Sequence, residues 1–311
     1  MRRCWAMGPL PCAQRPPDSR VLTFVLWKPV WPAMPDVSLE DPLARPLWFV
    51  ELLKKAFPGR FLLARLTRLP VAGSLLDRWL FGGDSLIYLP ADRVIPIGQP
   101  LAQPEGMVLP SQVVEHFIEQ AHEHWLMNAC ICREAAHCRD YPRDLGCLFL
   151  GPAALGINPR LGRRVTKEEA LAHVRRCREA GLVHMIGRNK LDTLWLGVGP
   201  GRELLTICNC CPCCCLWRVL PHLAPQTGAK VARLPGVTVT VSERCVGCGA
   251  CSQQICFVDA IRLVDGRAVI SEACRGCGRC VSACPQQAIE MTIDQGSVQR
   301  AIEELTPLFD L

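Results

Sequence analysis

The chain has 311 residues, half of them hydrophobic, so it carries enough apolar side chain for a packed core and is not wholly disordered. Its 35 Lys and Arg exceed its 29 Asp and Glu by only six. This excess is too small to predict a nucleic-acid-binding protein, which needs a concentrated basic face.

Cysteine is the unusual feature of the composition, with 21 residues. An export signal needs an unbroken apolar run after its positive start, and here Gly8, Pro9 and Pro11 follow Arg2 and Arg3. We therefore expect a cytoplasmic protein in a reducing compartment, where disulfides are rare. Metal binding is then the default interpretation of the thiols.

Residues 1–42 are rich in proline and lack a sustained periodicity, which predicts a poorly ordered leader. Both Met1 and Met34 are candidates for the true start. Residues 43–110 contain apolar helical runs separated by prolines, and we interpret them as an amphipathic helical extension. Basic and aromatic residues are interleaved within 43–81, so peripheral contact with a membrane is one interpretation. We favour the other interpretation, in which this apolar face packs on the cysteine-rich part of the chain.

Residues 111–225 form a predicted cysteine-rich domain that binds metal. Apolar spacing predicts a helix from Ser111, with that serine as its N-cap. A second helix is predicted from Thr166, which forms a capping box with Glu169, to a stop at Gly181.

Ten cysteines of this domain are candidates for a further metal centre: Cys130, Cys132, Cys138, Cys147, Cys208, Cys210, Cys211, Cys213, Cys214 and Cys215. Adjacent cysteines point apart in most backbones, so the run that ends at Cys215 is expected to serve two sides or two metals. One or two iron–sulfur clusters are our first interpretation. Zinc and a reactive dithiol pair are the alternatives.

Residues 236–295 contain an internal repeat. The run Cys245-Val-Gly-Cys248-Gly-Ala-Cys251 is matched 29 residues later by Cys274-Arg-Gly-Cys277-Gly-Arg-Cys280. A fourth cysteine follows each run, Cys256 and Cys284, and these two lie 28 residues apart. Two-residue gaps allow a tight turn to aim three thiolates at three corners of one cubane cluster.

This repeat resembles the bacterial-type ferredoxin domain that carries two [4Fe–4S] clusters, and low-potential electron transfer is what the resemblance implies. In that family the distal cysteine of each half ligates the cluster of the other half. The resemblance therefore implies cluster 1 on Cys245, Cys248, Cys251 and Cys284, and cluster 2 on Cys274, Cys277, Cys280 and Cys256. The first half departs from the pattern, because one extra residue precedes Cys256 and Phe257 stands where proline is usual. The preceding domain is similar to a cysteine-rich module found fused to such ferredoxins in anaerobes.

Short strands are predicted at 237–241, 261–264, 268–270 and 289–293, with a turn at Asp265-Gly266. A closing helix is predicted within 296–311. The expected fold class is α+β, with a ferredoxin-like dicluster domain and a mixed cysteine-rich domain.

These patterns predict an electron carrier or redox subunit rather than a stand-alone enzyme. Its clusters would relay single electrons between a redox protein partner and the cysteine-rich domain. One alternative is an iron–sulfur oxidoreductase with a catalytic cluster at Cys208–Cys215. The other is a zinc- or thiol-rich metal-handling module.

Overall fold

The computed structural model describes residues 45–92 and 109–311. All of them belong to one structural unit, which spans Asp41–Leu311. The predicted leader and both candidate start residues lie outside the described residues.

The helices are α1 Leu47–Ala56, α2 Arg60–Leu66, α3 Pro70–Leu80, α4 Ser111–Gln120, α5 Ile131–Ala135, α6 Lys167–Glu179, α7 Lys190–Leu196, α8 Pro225–Gly228, α9 Arg279–Ala283 and α10 Ser297–Leu305. The strands are β1 Ser85–Tyr88, β2 His124–Met127, β3 Leu148–Leu150, β4 Gly162–Arg164, β5 Val183–Arg188, β6 Leu205–Cys210, β7 Val231–Arg233, β8 Val237–Val241, β9 Ile261–Val264, β10 Arg267–Ile270 and β11 Ile289–Ile293.

A seven-stranded sheet carries most of the cysteine-rich part, in the order β4-β2-β3-β6-β5-β1-β7. Its neighbours are antiparallel except β1 and β7, which are parallel. Strand β1 lies in the segment that the sequence predicted to be helical. Its residues from Leu86 to Tyr88 are all buried, so the strand lacks the alternation of polar and apolar residues that would reveal it.

The last part of the chain adds two small antiparallel sheets, β9 with β10 and β8 with β11. The four predicted strands are confirmed. Asp265 and Gly266 both have positive φ, as a two-residue hairpin turn requires. Helices pack on the sheet, with α4 and α10 in contact beside Val114, Ile118 and Leu305. Mixed helices and mainly antiparallel strands make the fold α+β, as predicted.

Helix ends follow local chemistry. The capping box of Thr166 and Glu169 is present at the start of α6, as predicted. The N-cap prediction for Ser111 is wrong, because Pro110 occupies that position and Ser111 is the first helical residue. The backbone N–H of Ser111 donates instead to Asp92 at 3.1 Å.

Helices α1 to α3 bury part of their apolar face and expose the rest. Val50, Ala64 and Leu80 are buried, whereas Trp48, Val71 and other large apolar side chains are exposed. Among the helices that the structure describes, none combines the length and apolar character needed to cross a bilayer.

The buried carboxylate of Asp84 should make the stability of the fold depend on pH. Its Oδ1 accepts the backbone N–H of Lys190, its Oδ2 has no partner, and burial raises its pKa to about 6. Since the folded protein holds this proton more tightly than the unfolded chain, the contribution of Asp84 to stability is present in acid and is lost as pH rises through 6. We expect Asp84→Asn to gain stability over the wild type as pH rises from 4 to 7, by at most about 3 kcal/mol.

Urea unfolding across that pH range measures the difference. The control is Asp265→Asn, which removes an exposed carboxylate from a turn that asparagine tolerates. Parallel curves for wild type and Asp84→Asn would contradict the expectation.

Candidate metal centres

The eight cysteines of the repeat line two separate small cavities. The first cysteine cavity is lined by Cys245, Cys248, Cys251 and Cys284, with Leu263, Ala268 and Ile289 among its apolar neighbours. The second cysteine cavity is lined by Cys256, Cys274, Cys277 and Cys280, with Phe257, Val258 and Ile261. Each cavity thus takes three cysteines from one half of the repeat and the distal cysteine from the other half. These are the groupings that the ferredoxin resemblance implied.

Backbone N–H groups point at the sulfurs in an equivalent way in both halves. Ala260 donates to the Sγ of Cys256 and Ala288 donates to the Sγ of Cys284, each at 3.3 Å. In both halves, this alanine lies four residues after the distal cysteine. Four thiols, an apolar lining and N–H donors to sulfur form a set that fits an iron–sulfur cluster. The extra residue before Cys256 therefore leaves its sulfur among the other three.

The backbone beside the first cysteine cavity leaves no room for a side chain at Gly247. Its φ is +67°, and a Cβ added there would lie 2.1 Å from the carbonyl oxygen of Gly266. Gly266 itself has φ of +74° and open space around it. We expect Gly247→Ala to lower iron retention and thermal stability clearly more than Gly266→Ala, which carries only the backbone strain of about 1 kcal/mol. Equal losses in the two variants, measured by iron content and melting temperature, would contradict the steric argument.

The ten cysteines of the middle part divide into two groups. The Cys138 quartet comprises Cys138, Cys211, Cys213 and Cys214, whose sulfurs all lie within 4.8 Å of one another. The thiol pocket is a cavity of about 580 Å³ bordered by Cys130, Cys132, Cys147, Cys208, Cys210 and Cys215. Cys211 also borders this pocket. Cys210 and Cys211 are adjacent in sequence, yet they belong to different groups.

The walls of the thiol pocket are largely apolar and come from α1 to α3 and from α7. Phe49, Trp79 and Trp195 are among them. The packing of this amphipathic segment on the cysteine-rich part is thus observed at the pocket. A volume of this size lies within the range of small-molecule sites.

Hydrogen bonds between thiols perturb the chemistry of the pocket. Cys132 holds the pKa of Cys130 well below its ordinary value, and Cys208 does the same for Cys210. The Sγ atoms of Cys210 and Cys215 are 3.3 Å apart, and those of Cys147 and Cys208 are 4.0 Å apart. These contacts favour thiolate at two positions, which is the form that binds metal.

Arg133 is the largest fully buried side chain described and lies behind these thiols. It donates to the carbonyl oxygen of Asn209 at 2.7 Å and to that of Leu145. The side chain of Asn209 donates to the carbonyl oxygen of Gly146 at 2.7 Å and accepts from Nδ1 of His184 at 2.8 Å. This network holds β6 against the loop that carries Cys147.

Two buried titratable groups, His184 and Asp192, belong to the surroundings of the pocket. Burial lowers the pKa of His184 to about 4, so its ring is uncharged at neutral pH. Burial raises the pKa of Asp192, although Trp195, Thr206 and Asn189 all donate to its carboxylate. Arg133, Asn209 and Asp192 were not among the predicted site residues. Arg133 follows Cys132 and Asn209 follows Cys208 in the sequence, whereas Asp192 in α7 is far from any cysteine in the sequence and gave no such signal.

The second cysteine cavity and the thiol pocket are joined by direct contacts. The Phe257 ring lies 4.7 Å from the Tyr88 ring, centroid to centroid, and the Tyr88 hydroxyl is 3.5 Å from the Sγ of Cys215. Arg279, next to Cys280, donates to the carbonyl oxygen of Cys210. The two places therefore share one buried core.

Comparison with known proteins places one part of the chain. The model of the family described as the LdpA Fe-S cluster-binding domain matches residues 251–295. The matched region includes six of the eight repeat cysteines, with Cys245 and Cys248 just before it. Neither the search of curated proteins nor the search of solved structures found a match. The family match and the cysteine geometry together support an iron–sulfur cluster-binding domain at this end of the chain.

Proposed function

We propose that the chain is an iron–sulfur electron-transfer protein with a [4Fe–4S] cluster in each of the two cysteine cavities. Cys245, Cys248, Cys251 and Cys284 would hold one cluster, and Cys256, Cys274, Cys277 and Cys280 the other. Bound clusters of this type supply one-electron redox chemistry. The observation that carries the proposal is the sorting of eight thiols into two quartets, each around its own cavity.

The two cavities differ in their access to solvent, and this supports a direction of exchange. Cys248 is exposed, and so is its neighbour Val246 at 65% of its surface. Cys277, in the second cavity, packs against the core that also contains Cys210 and Cys215. We propose that a redox protein partner docks beside Cys248 and that electrons travel inward to a further metal centre, held by thiols of the thiol pocket.

The contact between Phe257 and Tyr88 would couple the second cavity to the thiol pocket. Both side chains are buried, their rings are in contact, and the Tyr88 hydroxyl reaches the Sγ of Cys215. Because Phe257 replaces the proline usual in ferredoxins, this departure from the family pattern supplies the aromatic side chain that touches Tyr88.

The metal content of protein purified without oxygen tests the proposal. We expect a brown protein with at least eight irons and eight inorganic sulfides per chain, the content of two [4Fe–4S] clusters. Dithionite should bleach the visible absorption and produce the electron paramagnetic resonance of reduced clusters. Colourless protein without inorganic sulfide would refute the proposal.

Rapid mixing tests the coupling between the cavity and the pocket. Phe257→Leu and Tyr88→Leu should each slow the reduction of the centre in the thiol pocket, followed by freeze-quench spectroscopy, because each removes a bridging ring. Phe117→Leu, on the buried face of α4, is the matched control and should leave the rate unchanged. Unchanged rates in all three variants would refute the route.

One observation favours a second candidate function, an iron–sulfur oxidoreductase that acts at the thiol pocket. The pocket is large enough for a substrate, its lining suits a small and mostly apolar molecule, and seven thiols border it. In this case electrons from the repeat would reduce a substrate bound in the pocket, whereas a carrier would pass them on to another protein.

Spectroscopy distinguishes the two candidates. If the pocket is catalytic, adding a small aromatic or aliphatic probe such as phenol or butanol should perturb the signal of the pocket centre. Trp195→Ala should weaken that perturbation. A carrier without a substrate would show the same signal with and without probe.

A further inference from the structure

We infer that the Cys138 quartet binds a single tetrahedral metal ion, zinc or iron, rather than an iron–sulfur cluster. The inference is independent of the electron-transfer proposal, because the quartet uses none of the repeat cysteines. Its first support is the closeness of the four sulfurs, which lie within 4.8 Å of one another. Cys213 lies 3.6 Å from Cys138 and 3.4 Å from Cys214, measured between Sγ atoms.

These distances match the ligand sphere of one ion. Four thiolates at about 2.3 Å from a central metal in tetrahedral geometry are separated from one another by about 3.8 Å. In a cubane each thiolate ligates a different iron at a different corner. The four sulfurs must then lie further apart than around a single ion.

The sulfur spacing of the Cys138 quartet differs from that of the two repeat quartets. Within residues 45–92 and 109–311, no second set of three or more cysteine, histidine or carboxylate ligands comes within the same 4.8 Å. The two repeat quartets therefore hold their sulfurs further apart, around cavities. One protein thus contains both spacings, the open one at the repeat and the close one at Cys138.

The surroundings of the quartet suit a closed, structural site. Cys211 is 1% exposed, Cys138 and Cys214 are also buried, and all four ligands come from the protein. Structural zinc sites use all four positions in this way, whereas catalytic sites leave one open. Four thiolates around a divalent ion carry a net charge of −2. Nearby guanidinium groups offset it, since Arg143 donates to the carbonyl oxygen of Cys138 and Arg218 to that of Cys213.

The ion would cross-link two loops that are distant in the sequence. Cys138 follows α5, at the end of a turn in which His137 has φ of +48°. The other three cysteines follow β6 and lie more than seventy positions later in the chain. Joining these loops fixes β6, whose Cys208 and Cys210 border the thiol pocket.

Metal analysis of full-length protein purified without oxygen tests the inference. We expect one metal ion per chain beyond the iron that inorganic sulfide accounts for. Cys213→Ala and Cys214→Ala should each lose that ion and keep all inorganic sulfide. The matched control is Cys177→Ala, which removes a buried thiol packed against the same site. Cys177 should not be a ligand, because its sulfur is not among the four that come within 4.8 Å of one another.

Elemental analysis identifies the ion as zinc or iron, and either supports a single-ion site. If the variants do not fold, spectroscopy of the wild-type protein still tests whether the site holds a single ion. Zinc X-ray absorption should show four sulfur neighbours at about 2.3 Å, or Mössbauer spectra should show one mononuclear iron–tetrathiolate site. Loss of several irons with an equal amount of sulfide in Cys213→Ala would overturn the inference. So would a wild-type protein that holds no metal beyond its sulfide-containing clusters.

Discussion

Replacing Cys256 with alanine is expected to remove about four irons and four inorganic sulfides per chain, the content of one [4Fe–4S] cluster. Cys256 is the distal cysteine whose spacing departs from the ferredoxin pattern, yet it lines the second cavity with Cys274, Cys277 and Cys280. Three thiolates leave one corner without its ligand, so the cluster should be lost or degraded. Iron and sulfide analysis of anoxically purified protein measures the change.

Two other variants make this result specific. Cys284→Ala should cause a loss of the same size, because Cys284 holds the equivalent position in the first cavity and accepts the equivalent N–H. Cys177→Ala should cause no loss. Full iron retention in Cys256→Ala, with loss in Cys284→Ala, would show that the extra residue has removed Cys256 from the ligand set.

Replacing Arg133 with methionine is expected to destabilise the protein by about 2–4 kcal/mol, since two buried carbonyl oxygens lose their charged donor. Methionine fills much of the volume but cannot donate to Asn209 and Leu145. The positive charge next to the Cys130 thiolate is also lost. We expect lower metal content in the thiol pocket as well. The measurements are the urea midpoint and the metal content, both without oxygen.

Arg139→Met is the matched control for this variant. Arg139 lies six residues further along the same segment and is exposed, so its loss should change the urea midpoint little. Equal midpoints for the two variants would show that the buried network around Arg133 does not stabilise the fold.

The structure of the repeat could be predicted from the sequence because it depends on residues that are close together in the chain. Two-residue gaps, the paired glycines and the Asp265-Gly266 turn each specify backbone over a few residues. The strand at 237–241 was predicted from alternation and the strand at 289–293 from the ferredoxin resemblance, and the two pair as one antiparallel ladder. Even the alanine that follows each distal cysteine has a local reason, a hydrogen bond to sulfur over four residues.

The sequence by itself thus determined an α+β, cysteine-rich chain with an iron–sulfur binding domain near its end. Only the tertiary structure decided how the ten middle cysteines divide, because Cys138 meets Cys213 across a separation of 75 residues. It also placed the buried strand β1, whose Tyr88 touches both Phe257 and Cys215. Spacing along a chain constrains neighbours within a turn or two, whereas contacts between distant segments depend on how the sheet and its loops pack.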